Sequence, residues 1–311
     1  MNEGSVDRIA VIGAGLMGHG IAQIFAVHGY AVRLMDVDEV RLDRALSNVR
    51  ANLELMVEHG IGRAQDIDAV IARIATTTKV EEAAAGAGFV IEAVSEKADL
   101  KRSIFRELDT LCPESTVLAT NTSVISITEI AQEAAARERV VGTHFWNPPQ
   151  LIPLVEVIPG RDSAPWALDL ACDLLRAVGK HPVRVKKDVP GFVGNRMQHA
   201  LWREAIFIVE QGIADAETVD EVVKMGFGMR LPVLGPLENA DMIGLDLTLQ
   251  IHDYILSHLE DSHEPSPLLR EKVEKGELGF ACGEGFRAWT PQEMEECRTR
   301  LRQYLMERGN E

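Results

Sequence analysis

Near the start of the chain, the apolar run Arg8-Ile-Ala-Val-Ile12 passes straight into Gly13-Ala-Gly-Leu-Met-Gly18. A short, unbroken apolar run suits a strand buried on both faces of a parallel sheet. Ile21, Ile24 and Phe25 then recur at helical spacing, Gly29 closes that helix, and Ala31–Met35 forms a second apolar run ending at Asp36. Strand, helix and strand make a βαβ unit. From Glu39 to about Ala75, Leu42, Leu46, Val49, Leu53 and Met56 lie on one helical face, with a break at Gly60-Ile-Gly62. This segment reads as a helical pair inserted into the βα alternation.

Strand-like runs return at Phe89–Ile91, Thr116–Ala119, Val140-Val141, Leu154–Ile158 and His181–Val185, with helical stretches between the first three. The alternation predicts an α/β fold, a doubly wound Rossmann-type parallel sheet. From Phe192 onward only helical periods remain. Phe192–Gln211 reads as one helix stopped by Gly212, and Asp215 as the N-cap of a helix that Gly226 ends. The expected domains are residues 1–188, an α/β domain, and residues 189–311, an all-α C-terminal domain.

Glycines 13, 15 and 18 form GxGxxG between strand and helix. The first permits a tight turn, the second lets a pyrophosphate approach the backbone, and the third lets helix and strand pack closely. The motif alone is weak, and a glycine-rich turn beside a solvated acid is its bland alternative. Asp36, at the end of the second strand, strengthens it, because a carboxylate there accepts hydrogen bonds from a ribose diol and repels a 2′-phosphate. NAD is therefore expected in preference to NADP.

Composition narrows the partners. With 32 basic and 48 acidic side chains the 311-residue chain carries a formal charge of −16, which opposes nucleic acid and anionic membranes. Met1–Arg8 lacks an apolar core and no later stretch approaches a membrane span, so a cytoplasmic protein is expected. Cys112, Cys172, Cys282 and Cys297 are scattered, without CxxC or Cys/His clustering, and read as reduced thiols rather than disulfides or a metal site.

The segments Gly13–Gly18, Asn121-Thr-Ser123, His144-Phe-Trp-Asn-Pro-Pro149, Leu154-Val-Glu-Val157 and Pro190-Gly-Phe-Val-Gly-Asn-Arg196 resemble, in order and spacing, the 3-hydroxyacyl-CoA dehydrogenase family. The resemblance extends to Pro265-Ser-Pro267 and Gly283-Glu-Gly-Phe286. It implies an NAD-binding Rossmann domain, a helical domain that dimerises, His144 as general base and Glu156 as its partner. Ser123 and Asn195 would hydrogen-bond the reacting substrate. Leu16 and Met17 within the glycine motif, together with Ala93, Glu96, Lys101, Ser123 and Asn147, would contact the cofactor.

The chemistry is coherent without the family. Oxidising a secondary alcohol needs a base near neutrality, which imidazole supplies, and a carboxylate beside it fixes the tautomer and stabilises the imidazolium. Bland alternatives stand beside each residue: a structural histidine, a solvated strand carboxylate at Glu156, a turn serine at Ser123, a helix cap at Asn195 and a surface lysine at Lys101.

Two features depart from the family pattern. Residues 37–75 contain no lysine, and five arginines there face seven acids; a CoA nucleotide, rich in phosphate, would lack its usual basic handle. The segment Gly226–Glu238 is long and looks like that of the CoA-independent lambda-crystallin, gulonate and carnitine dehydrogenase relatives. Arg230 within it is a candidate clamp for a substrate carboxylate, or else a surface arginine at a contact. The expected activity is NAD-dependent interconversion of a ketone with a secondary alcohol β to an acyl or carboxylate group. A small hydroxy acid is favoured over 3-hydroxyacyl-CoA as the substrate. Two rivals remain: the 6-phosphogluconate and β-hydroxyacid dehydrogenase group, whose catalytic lysine has no counterpart between Lys187 and Lys224, and a nucleotide-binding structural or sensor protein without turnover.

Overall fold

The computed structural model describes residues 6–308; most of the Met1–Arg8 segment considered above therefore lies outside the described residues. The first half of the sheet is built from β1 (Arg8–Ile12), α1 (Gly18–Val27), β2 (Ala31–Met35), α2 (Glu39–Glu58), α3 (Ile67–Ile71), β3 (Ile74–Thr77), α4 (Val80–Ala84) and β4 (Phe89–Glu92). The second half adds α5 (Ala98–Leu111), β5 (Val117–Thr120), α6 (Ile127–Ile130), β6 (Val140–Phe145), β7 (Leu154–Pro159), α7 (Pro165–Ala177) and β8 (His181–Arg184). The strand order is β3-β2-β1-β4-β5-β6-β7-β8. Every pairing is parallel except β6 with β7.

Side chains alternate across the sheet, so each strand feeds two cores. Ile9, Val11, Leu34, Ile91 and Val157 pack on one side with Phe25 of α1 and Leu175 of α7. Ala10, Ile12, Val90, Leu118 and Ile158 pack on the other with Phe105 and Leu108 of α5. The helical pair is lopsided. After α2, capped by the Asp38 carboxylate on the Val40 N–H, its second helix α3 has five residues. The chain then forms β3, which the helical periodicity conceals because only Ile74 and Thr77 of this edge strand are buried.

Contacts divide the chain into two units. One runs to Asn195 and takes in the chain again from Leu301; the other is Arg196–Arg300. The helices here are α8 (Gly194–Glu210), α9 (Ala216–Met225), α10 (Pro236–Ile243), α11 (Leu245–Ile255), α12 (Pro267–Glu274) and α13 (Pro291–Arg308). Asp215 caps α9 through the Thr218 N–H and Gly226 ends it. Within the helical unit Ser266 binds Glu210, and Arg287 pairs with Glu217 while stacking on Trp289. No residue of α9, α10, α11 or α12 is buried. No helix of the described residues is long and apolar enough to cross a membrane.

Candidate active site

The glycine motif forms the turn between β1 and α1. Gly13 has φ +106°, and a Cβ there would lie 2.6 Å from the Ala93 carbonyl oxygen. A Cβ at Gly18 would collide with the Gly13 carbonyl, whereas one at Gly15 would meet nothing. The turn is thus closed on its sheet side and open above Gly15, at the start of α1, where unpaired N–H groups favour an anion. Leu16 is exposed, and the Met17 carbonyl accepts the Ile21 N–H within α1. Asp36 is buried at the end of β2; one oxygen accepts the Ala14 N–H at 2.9 Å and the other faces Arg41 at 3.8 Å. The residues fit a dinucleotide: the open side of Gly15 would admit its pyrophosphate, and Asp36 would accept from a ribose diol.

His144 and Glu156 stand opposite each other in the antiparallel β6–β7 pair, where facing side chains meet. The Glu156 Oε2 lies 2.8 Å from His144 Nδ1, and the two residues are 2% and 4% exposed. A carboxylate can only accept, so Nδ1 carries the proton and Nε2 is left as the base. Trp146 and Phe192 flank the ring at centroid distances of 5.3 and 5.7 Å.

The other Glu156 oxygen accepts the N–H groups of Val193 and Gly194, at 3.0 and 3.1 Å. Burial pushes the Glu156 carboxyl upward, but the imidazole and these two N–H groups outweigh it, and the net shift is below the ordinary value. The donors are presented by a left-handed turn, Gly191 at φ 75° and Phe192 at φ 49°. A non-glycine residue there is strained. That turn keeps Phe192 out of the helix, so α8 starts at Gly194 rather than at Phe192.

The next residue closes a circuit. Asn195 is buried, and its side-chain amide donates to the Ser123 carbonyl at 3.0 Å. The Ser123 N–H donates to Glu96 at 2.8 Å, as does the Thr122 hydroxyl at 2.5 Å. Burial raises the Glu96 carboxyl, but Thr122, Lys101 and two N–H groups together lower it. Lys101 is turned inward, 1% exposed, with its ammonium 2.8 Å from Glu92 and 3.2 Å from Glu96. It braces Glu96 and is covered by protein. Glu96, Ser123, Asn195, Glu156 and His144 are thereby joined around the carboxyl ends of β4, β5 and β6, the crevice where open α/β sheets bind ligands. Asn147 is exposed in the β6–β7 loop, and its peptide bond to Pro148 is cis. Arg230 lies in the helical unit, exposed and in no ion pair among the described residues.

Two contributors escaped the sequence reading. Glu92, fully buried at the end of β4, accepts the Val94 N–H, the Thr120 hydroxyl and the Lys101 ammonium; the only signal was an acid terminating an apolar strand. Asp188 caps α6 by accepting from the Ser126 hydroxyl and the Ile127 and Thr128 N–H groups. Its partners lie far away in sequence and left no local pattern.

A dinucleotide turn at one end of the crevice and a carboxylate-oriented imidazole at the other define an NAD-dependent dehydrogenase. Residues 8–189 match the NAD-binding domain of 3-hydroxyacyl-CoA dehydrogenase, and residues 191–289 match its C-terminal domain. The chain is 36% identical to 5-formyl-3-hydroxy-2-methylpyridine 4-carboxylate 5-dehydrogenase of Mesorhizobium japonicum, over 93% of this chain and 92% of that one. It is 43% identical to the Bacillus subtilis protein named "Probable 3-hydroxybutyryl-CoA dehydrogenase", over 90% and 96%. Among solved structures, the crystal structure of the same pyridine-carboxylic acid dehydrogenase, described as an NAD+ dependent dismutase, superposes with a TM-score of 0.88 at 34% identity, covering 97% of both chains. (S)-3-hydroxybutyryl-CoA dehydrogenase from Ralstonia eutropha gives 0.76 at 34% identity, over 92% of this chain and 100% of that one. The chain belongs to the 3-hydroxyacyl-CoA dehydrogenase family and is an NAD-dependent oxidoreductase.

Proposed function

We propose that the protein oxidises a small, CoA-free hydroxy acid at a secondary alcohol β to its carboxylate, reversibly, with His144 as general base. The observation that carries the catalytic part is the buried His144–Glu156 pair, which leaves Nε2 as the sole basic position of the ring. The bound nicotinamide supplies the hydride acceptor. His144 Nε2 takes the hydroxyl proton, and Glu156, ionised near neutrality, stabilises the imidazolium. The Asn195 amide and the Ser123 hydroxyl orient the substrate oxygen, while the Asn195–Ser123 hydrogen bond holds the two residues together. Gly13, Gly15, Leu16, Met17, Gly18, Asp36, Ala93, Glu96, Ser123 and Asn147 form the cofactor track, with Lys101 bracing Glu96. In this reading residues 1–188 carry NAD and residues 189–311 serve substrate binding and dimerisation.

Freedom from CoA is supported by the lysine-free α2–α3 segment and by the close superposition with a relative named for a pyridine carboxylate. Arg230 is the proposed carboxylate clamp. The rival substrate is 3-hydroxybutyryl-CoA, named for other relatives. Comparing kcat/KM for 3-hydroxybutyryl-CoA with that for 3-hydroxybutyrate and longer or ring-bearing β-hydroxy acids separates the two. Efficient turnover of the thioester with none of the acids rejects the CoA-free assignment.

A homodimer is supported by the helical unit's exposed apolar residues, among them Trp202, Val222, Leu237, Leu249 and Tyr254, each at least 50% exposed. Exposed apolar side chains mark protein contacts where they gather into a patch, and light scattering at the mass of two chains tests the assembly. Cytoplasmic residence rests on the absence of a membrane-spanning helix among the described residues and on free cysteines; cell fractionation tests it.

A further inference from the structure

The β6–β7 loop is short of hydrogen-bond donors where it leaves the catalytic strand. In Asn147-Pro-Pro149 only the asparagine has a backbone N–H, so the carbonyls of this loop need donors from elsewhere. Pro148 finds them within the loop, its carbonyl accepting the Leu151 and Ile152 N–H groups, both at 3.1 Å. The Pro149 and Ile152 carbonyls share one donor, the Lys180 ammonium, at 2.5 and 3.0 Å. Lys180 is delivered there by the end of α7. Gly179, at φ 71°, donates its N–H to the Arg176 carbonyl, and the Lys180 N–H donates to the Leu175 carbonyl, the paired bonds that close a helix at a left-handed glycine.

Burial pushes the Lys180 pKa down to about 8, so the group is still an ammonium at pH 7, and bonds from a charged donor are the stronger kind. The other face of the loop lies on α1. A Cβ at Gly20 would fall 2.6 Å from Pro149 Cγ and 2.9 Å from Gln150 Oε1, so a glycine is required for the loop to sit this close, two residues past the glycine motif. Leu16 of that motif and Asn147, Pro148 and Pro149 of the loop line one cavity of about 200 Å³. The segment nearer His144 is held by other means. The Phe145 N–H donates to Asn121 at 2.9 Å, and Trp146 packs on Gly194 with no room for a Cβ. What Lys180 fixes is therefore the chain after Trp146, beginning with Asn147.

We propose that Lys180 is a positioning residue for the cofactor: by holding the Pro149 and Ile152 carbonyls it keeps the loop seated on α1 and Asn147 at the nucleotide track. The proposal rests on the reading of Asn147 as a cofactor contact and adds the group that sets its place. Lys180 acts through the loop, so loss of its two bonds falls on NAD affinity and leaves proton transfer at His144 intact.

The test measures NADH affinity by fluorescence titration, with steady-state kinetics and thermal melting, for Lys180→Met, Asn147→Ala and the double variant. Lys180→Met is expected to raise the NADH Kd and the KM for NAD by about tenfold, while kcat at saturating NAD and KM for the hydroxy acid that wild type uses best stay within about twofold. Asn147→Ala is expected to weaken NADH binding to a similar degree. Adding Lys180→Met to it is expected to cost no more than about a further twofold, because residues that act as one unit are not additive. If Lys180→Met fails to fold, Gly20→Ala, which forces Pro149 off α1, takes its place in the same comparison. Wild-type NADH affinity in folded Lys180→Met, or losses that multiply in the double variant, overturns the proposal and leaves Asn147 as a contact. Wild-type NADH affinity in Asn147→Ala overturns the reading of Asn147 and the proposal with it.

Discussion

Glu156 faces His144 across an antiparallel strand pair and holds its Nδ1 at 2.8 Å, while two backbone N–H groups occupy the other carboxylate oxygen. The carboxylate is thus saturated on both sides. It cannot rotate away from the imidazole without leaving buried donors unpaired.

Replacing Glu156 with Gln keeps the shape and removes the charge. The amide cannot accept equally from the ring and from the Val193 and Gly194 N–H groups, and the imidazolium loses its counter-charge. A fall in kcat of about 100-fold or more is expected, with NADH binding retained. Steady-state kinetics and NADH fluorescence titration check this.

The same pair makes stability depend on pH. The folded Glu156 carboxyl lies below its ordinary value of 4.5, so its contribution is fully present above that value and is lost as pH falls through the depressed folded value. The melting-temperature gap between wild type and Glu156→Gln should be constant from neutrality down to about pH 5 and narrow below it. A gap that widens on acidification would contradict the assignment.

Lys101→Met leaves Glu92, fully buried, without its ammonium partner. Breaking one side of a buried pair costs about 3–5 kcal/mol, which denaturant unfolding will detect. Adding Glu92→Gln removes the orphaned charge and should restore a large part of the loss. The double variant thereby separates the brace from a direct role in turnover.

Arg230→Ala should raise KM for a carboxylate substrate by about tenfold or more, with kcat and NADH affinity nearly unchanged, because a carboxylate clamp at Arg230, as proposed, would bind ground and transition states alike. Unchanged kinetics would remove Arg230 from the site.

Much of this site was legible in the residues themselves. The glycine spacing is dictated by a turn so tight that a Cβ at Gly18 would strike Gly13, and Asp36 follows because β2 ends beside that turn. His144 and Glu156 could be paired because each sits in a strand and the strands adjoin. What stayed hidden depends on contacts between distant segments. Asp188 reaches Ser126 across 62 positions, Lys101 turns inward because Glu92 waits at the end of a neighbouring strand, and the last turns of α13 leave the helical unit for the first. Strand β3 was masked by a different cause: two exposed central residues gave it no apolar run.

The central claim is that His144 moves the substrate proton. His144→Gln, assayed with NAD and the best β-hydroxy acid found for wild type, should bind NADH with wild-type affinity and turn over at least about 100-fold more slowly. Wild-type turnover in a variant that binds NADH normally would contradict it.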